Sequence, residues 1–137
     1  RVRARPGTFV DSSVLLDVFT EDERWLAWSE AALAEALAKG PVVINAVVFA
    51  DVAPRFSRIE DLEAALPPQL IFEEMPRAAS FLAGHAHASY RRAGGAREQI
   101  LADFLIASHA AVTGRPLLTR DPRRVSTYLP GVELISP

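Results

Sequence analysis

Cysteine is absent from the 137 residues. That excludes disulfides, zinc–thiolate sites and thiolate catalysis, leaves any metal to oxygen or imidazole ligands, and suits a reducing compartment such as the cytoplasm. No apolar run approaches the ~20 residues needed to span a bilayer, so a soluble protein with no membrane partner is expected. The start Arg1-Val2-Arg3-Ala4-Arg5-Pro6-Gly7 has no apolar stretch behind its charges and no initial Met. Residues 1–7 therefore read as a disordered, foreign or processed leader outside the fold, and 8–137 as one domain.

A large excess of one charge is missing as well. A formal net charge of −2 argues against coating nucleic acid through a global field and leaves only a local basic patch open. Lysine is nearly lacking: Lys39 stands alone against fourteen arginines. Arginine forks suit bidentate contacts to phosphate, although a genomic base-composition bias accounts for the same count and for the many alanines.

What the chain does have is hydrophobic content, 50% of its residues, arranged as short apolar runs alternating with helical periodicities. Thr8-Phe9-Val10, Pro41-Val42-Val43-Ile44, Pro116 to Thr119 and Val132 to Ile135 read as short buried strands, and Leu70-Ile71-Phe72 as a small strand or an extended segment. Helices are expected from near Ser13, from a capping box at Thr20-Glu21-Asp22-Glu23 to Gly40, and from Ala46 to Ala53 with Asn45 as cap. Three more are expected after the capping-box pattern Ser57-Arg58-Ile59-Glu60, after Pro76, and from Ile100 to Val112, where Gly114 supplies a left-handed stop. The alternation predicts an α/β fold with a short parallel sheet flanked by helices.

Four aspartates stand out against this pattern. Asp11 and Asp121 close apolar strands, and in open parallel sheets ligands collect outside those carboxyl ends. Asp51 and Asp103 interrupt apolar helices, where an uncompensated charge costs several kcal/mol or more, on the order of 2–7 even for a neutral polar group. A shared divalent cation removes the cost for all four. Carboxylates without cysteine suit Mg2+ or Mn2+, which activate water and stabilise the oxyanions of phosphodiester displacement without Ser, Cys or His. Taken singly, each has a structural reading: Asp11 as a helix cap, Asp121 as a turn residue before Pro122, Asp51 on a helix surface, Asp103 as a first-turn acid.

Phe9-Val10-Asp11-Ser12-Ser13-Val14-Leu15-Leu16, Leu101-Ala102-Asp103-Phe104-Leu105-Ile106-Ala107 and Leu117-Leu118-Thr119-Arg120-Asp121 resemble, in order, the three main blocks of PIN-domain proteins, especially VapC-type toxins. The resemblance covers about Phe9 to Ile135. It implies a PIN-like three-layer α/β fold and a Mg2+- or Mn2+-dependent endoribonuclease that acts on RNA, is restrained by a cognate antitoxin and forms a homodimer. Carried over by position, Asp11, Asp51, Asp103 and Asp121 form the catalytic and metal-binding set. Asp51 departs from the family, which more often has Glu there. Ser12 and Thr119 then stand behind the ligands, Ser12 equally suited to capping a helix and Thr119 to a plain strand position. Ser13, two residues after Asp11, sits where a haloacid-dehalogenase-type phosphatase would need a second Asp, which argues against an aspartyl-phosphate mechanism.

Arg120, Arg123 and Arg124 flank Asp121, and Arg91, Arg92 and Arg97 surround Gly94-Gly95. Arg92 and the first cluster are candidates for holding RNA phosphates, with solvated surface as the plain alternative. His85, His87 and His109 are not assigned to the site, and Trp25, Trp28 and Phe49 read as packing or a protein-contact surface. A non-catalytic PIN-like module binding RNA or protein is the alternative function, resting on the departure at Asp51, and a DNA-directed nuclease is a third.

Overall fold

The sheet is built from runs of only two or three residues, because each apolar run is cut off by a polar residue at its carboxyl end. The structure, a computed structural model, describes residues 4–95 and 100–137, with Arg124 described by its backbone alone. Strands β1 (Thr8–Val10), β2 (Val42–Ile44), β3 (Leu70–Phe72), β4 (Leu117–Leu118) and β5 (Leu134–Ile135) lie in the order β3-β2-β1-β4-β5, every pairing parallel. Central β1 places Phe9 opposite both Val43 and Leu117. Phe9, Val10, Val42, Val43, Ile44 and Leu118 are fully buried, as expected of parallel strands covered on both faces. Burial of each such side chain stabilises by about 1.5–3 kcal/mol. Asp11, Asn45, Glu73 and Thr119 follow β1 to β4 directly, so a polar row runs along the carboxyl edge.

Between the strands lie α1 (Ser12–Phe19), α2 (Leu26–Lys39), α3 (Ala46–Val52), α4 (Ile59–Ala65), α5 (Arg77–Arg92), α6 (Ile100–Thr113) and α7 (Arg123–Tyr128), with a 3-10 turn over Ala53–Arg55. Helices α5 and α6 pack along one another, α1 packs on α2 and α3, and α3 reaches α6. Asn45 caps α3 as its sequence suggested, its side chain accepting from the amides of Val47 and Val48.

Two expected capping boxes do not form. Asp22, not Thr20, accepts the backbone amides of Arg24 and Trp25 ahead of α2, while the Thr20 hydroxyl turns back to the carbonyl of Leu16. A carboxylate is the stronger acceptor for exposed amides. Ser57 makes no cap either; α4 begins after Arg58 without a side-chain cap and with Glu60 and Asp61 in its first turn, where they favour the helix dipole. Helix α7 lies where no helix was expected, because its polar sequence carries no apolar stripe.

Gly114 ends α6 with φ +70°, and a Cβ there would collide with Ala4. Ala4 is brought close by its neighbours: the amide of Arg5 donates to the carbonyl of Thr113 at 2.8 Å, and Arg115 Nε donates to the carbonyl of Pro6 at 2.9 Å. Gly7, φ +99°, then lets the chain pass the Pro41 carbonyl into β1. Arg5 and Pro6 are thus hydrogen-bonded to the body of the fold. Among the described residues no helix is long and apolar enough to cross a membrane.

Candidate active site

The chain adds β2 and β3 on one side of β1 and β4 and β5 on the other. Such a reversal opens a crevice outside the carboxyl ends of the two strands that flank it. Asp11 leaves β1 into that crevice, Asp121 follows β4, and Asp103 enters from the first turn of α6. The three aspartates line one cavity of about 190 Å3 together with Ser12, Ser13, Arg120 and the apolar side chains of Leu16, Leu117 and Val125. Asp51 is not in its walls. It is tied to them, because the hydroxyl of Ser12 donates to Asp51 Oδ2 at 2.8 Å.

Asp11 occupies the cap position of α1 with extended backbone, yet its side chain makes no cap hydrogen bond. Its Oδ2 instead accepts from the hydroxyls of Ser13 at 2.7 Å and Thr119 at 2.8 Å. Those hydroxyls also brace the loop after β4: Ser13 Oγ accepts the amide of Arg120 at 3.2 Å, and Thr119 Oγ1 accepts the amide of Asp121 at 3.1 Å. Burial pushes the Asp11 carboxyl above its ordinary range, and the charge of Asp51 pushes the same way, against hydrogen bonds from Ser13, Thr119 and the Ser12 backbone. Perturbed carboxyls in clefts cluster at functional sites, and buried structural networks produce them too.

The donor chemistry suits a hard divalent cation: the polar wall is oxygen-rich, and the donors to Asp11 are neutral hydroxyls and an amide. The ligands are not gathered, however. Among the described residues no three acidic or imidazole side chains are close enough together to hold an ion as they stand, whereas Mg2+ commonly takes one or two carboxylates and completes its shell with water.

A second polar system supports the helix that carries Asp51. Because Asn45 Oδ1 is occupied by two helix amides, its Nδ2 donates to Nδ1 of His109 at 3.1 Å. The proton of His109 then sits on Nε2, which donates to Glu73 Oε1 at 2.8 Å. Burial lowers the pKa of His109 and keeps the ring neutral, against the pull of Glu73. Glu73 also receives both terminal nitrogens of Arg115, at 2.8 and 3.2 Å, and Arg5 at 3.1 Å. Arg115 foremost holds the Glu73 carboxyl at about 2. His109 is therefore committed away from the cavity.

The arginines separate. Arg120 lines the cavity and is held by Asp17 through Nε at 3.1 Å and Nη2 at 3.0 Å. Arg123 is exposed at the start of α7 and Arg92 is exposed at the end of α5, donating to Ser89; neither lines the cavity. The side chain of Arg124 and all of Arg97 lie outside the described residues. Asp17 went unnoticed in the sequence although it carries the signal that flagged Asp103, a carboxylate inside an apolar helix, here Val14-Leu15-Leu16-Asp17-Val18-Phe19.

The PIN domain family matches residues 8–127 of the chain. Comparison with curated proteins finds no match. Among solved structures, the chain is similar to VapBC2 from Rickettsia felis bound to a DNA fragment from their promoter, at 16% identity and a TM-score of 0.70 over 95% of this chain and 98% of that one. It is similar to DNA-bound VapBC from Salmonella typhimurium at 13% identity and a TM-score of 0.63, covering 96% and 98%. A toxin–antitoxin complex from Klebsiella pneumoniae matches at 19% identity and a TM-score of 0.61, covering 91% and 94%.

Proposed function

This chain belongs to the PIN domain family, and from that premise we propose that it is a VapC-type toxin, a metal-dependent endoribonuclease restrained by a cognate antitoxin. The observation that carries the reading is the meeting of Asp11, Asp103 and Asp121 in one cavity at the strand-order reversal, with Asp51 tied to its wall through Ser12. The antitoxin partner is supported by the folds it resembles, which were solved as complexes of toxin with antitoxin. A homodimer and a cytoplasmic location complete the reading.

Asp11, Asp103 and Asp121 would hold Mg2+ or Mn2+, with Asp51 contributing from behind Ser12. The chemistry that such an ion supplies is activation of water and neutralisation of charge on the phosphodiester. The chain's own part is orientation. Ser13 and Thr119 fix the Asp11 carboxylate, and the same hydroxyls fix the backbone that carries Asp121. Arg120, Arg123, Arg124 and Arg92 are the candidates for bringing RNA phosphates against an acidic wall.

Incubating the protein with total RNA, with and without Mg2+ or Mn2+, and mapping the cut ends tests this reading. Internal cuts that need the ion, and that DNA does not compete away, are expected; ion-independent cutting or preference for DNA would overturn it. A non-catalytic binding module is the second reading, favoured by the absence of Asp51 from the cavity walls. If Asp51→Glu creates activity where the natural chain has none, the second reading is right.

A further inference from the structure

Asp17 is 2% exposed and takes no part in the walls of the acidic cavity, yet both oxygens of its carboxylate are engaged beside it. Its Oδ1 accepts Arg120 Nη2 at 3.0 Å, and its Oδ2 accepts Arg120 Nε at 3.1 Å and the Ser29 hydroxyl at 2.7 Å. The clamp joins α1, α2 and the loop after β4. The indole of Trp25 lies 5.7 Å from the Arg120 guanidinium and limits its swing from another side. Asp17 raises the pKa of Arg120, so the cation is permanent.

A guanidinium tied along its Nε–Nη2 edge presents its remaining edge in a fixed direction. Among the described residues no hydrogen bond is made by Arg120 Nη1, and the side chain, 30% exposed, forms part of the cavity wall beside Asp11, Asp103 and Asp121. A polyanion entering that cavity meets acidic residues among the hydroxyls of Ser12 and Ser13 in the other polar walls. An immobilised cation in the wall offsets the repulsion at a single phosphate and sets its register, with less side-chain entropy lost on binding than for a free arginine.

We propose that Arg120 is the phosphate-binding residue of this site and that Asp17, with Ser29 behind it, is its positioning residue. The inference rests on the nuclease reading for its substrate, RNA, but not for its geometry. In steady-state cleavage of an oligoribonucleotide, Arg120→Gln raises KM by about 10-fold or more, in line with loss of a charge-assisted hydrogen bond, and changes kcat little. Arg120→Lys keeps the charge without the fork and rescues only part of the loss. Asp17→Asn also raises KM, while the double variant Asp17→Asn/Arg120→Gln is no worse than Arg120→Gln alone, because Asp17 acts through Arg120.

Oligoribonucleotide binding by fluorescence anisotropy in EDTA follows the same order, and its log–log salt slope falls by about one in Arg120→Gln. If Asp17→Asn does not fold, Ser29→Ala supplies the milder disturbance of the same carboxylate, with a smaller rise in KM expected. Unchanged KM and unchanged binding in Arg120→Gln overturn the proposal, as does a double variant whose effects simply add. A natural chain that cuts no RNA defeats the nuclease reading alone, and the EDTA binding series still decides this one: weaker binding by Arg120→Gln supports it, while equal binding, or none by the natural chain, refutes it.

Discussion

Glu73→Gln should cost stability in a way that depends on pH. The carboxylate joins the end of β3 to Arg115, which is 6% exposed, to the fully buried His109 and to Arg5 ahead of β1. Lowering its pKa from 4.5 to about 2 corresponds to about 3 kcal/mol at 1.36 kcal/mol per pH unit. Solvent reaches Glu73 and Arg5, and screening brings the charge contribution to roughly 1–2 kcal/mol. Leaving the Arg115 cation unpaired adds to the loss, so about 2 kcal/mol is expected at pH 7. The folded pKa is depressed, so the contribution is present above pH 4.5 and is lost as pH falls towards about 2. Urea unfolding of both proteins at pH 7, 5 and 3 measures it. The gap between them should be widest at pH 7 and shrink by pH 3; an equal gap at every pH would refute the electrostatic origin and leave only shape.

Asp11→Asn should raise the unfolding temperature in EDTA while abolishing ion-dependent cleavage. The folded pKa of Asp11 is raised, so its ionised form opposes folding at neutral pH and its contribution improves as pH falls; a neutral isostere removes the penalty. Asn45→Ala should cost about 2–3 kcal/mol in urea unfolding, summing a lost helix cap and a buried His109 Nδ1 left without its donor. In the Asp11→Asn background, where the opposing Asp11 contribution is gone, stability should fall as pH drops below 6.5, because the unfolded chain takes up a proton that buried His109 resists; a flat profile from pH 7 to 5.5 in that variant would contradict the neutral tautomer.

The strands were legible because their apolar runs are uninterrupted, and Asp11, Asp103 and Asp121 because each breaks such a run. Their meeting in one cavity was not readable from spacing; it follows from the strand order, which reverses at β1. Asp51 differs from the other three in place, since it lies outside the cavity walls and is joined to them through the Ser12 hydroxyl. Glu73 was invisible as a hub because its partners Arg5, His109 and Arg115 come from distant segments, and Asp17 because its partner lies on the loop after β4. The cap at α2 was misplaced by a pattern that ignores which oxygen is the better acceptor, and α7 by polar residues that give no periodic stripe.

If the three-aspartate cavity is the ion-dependent catalytic centre, the rate of RNA cleavage by Asp103→Asn must differ from that of the natural chain at matched Mn2+. The natural chain should cleave only when the ion is present, and the variant should be slower by at least about 100-fold while its far-UV circular dichroism still reports a folded chain. Equal rates in the two proteins would contradict it.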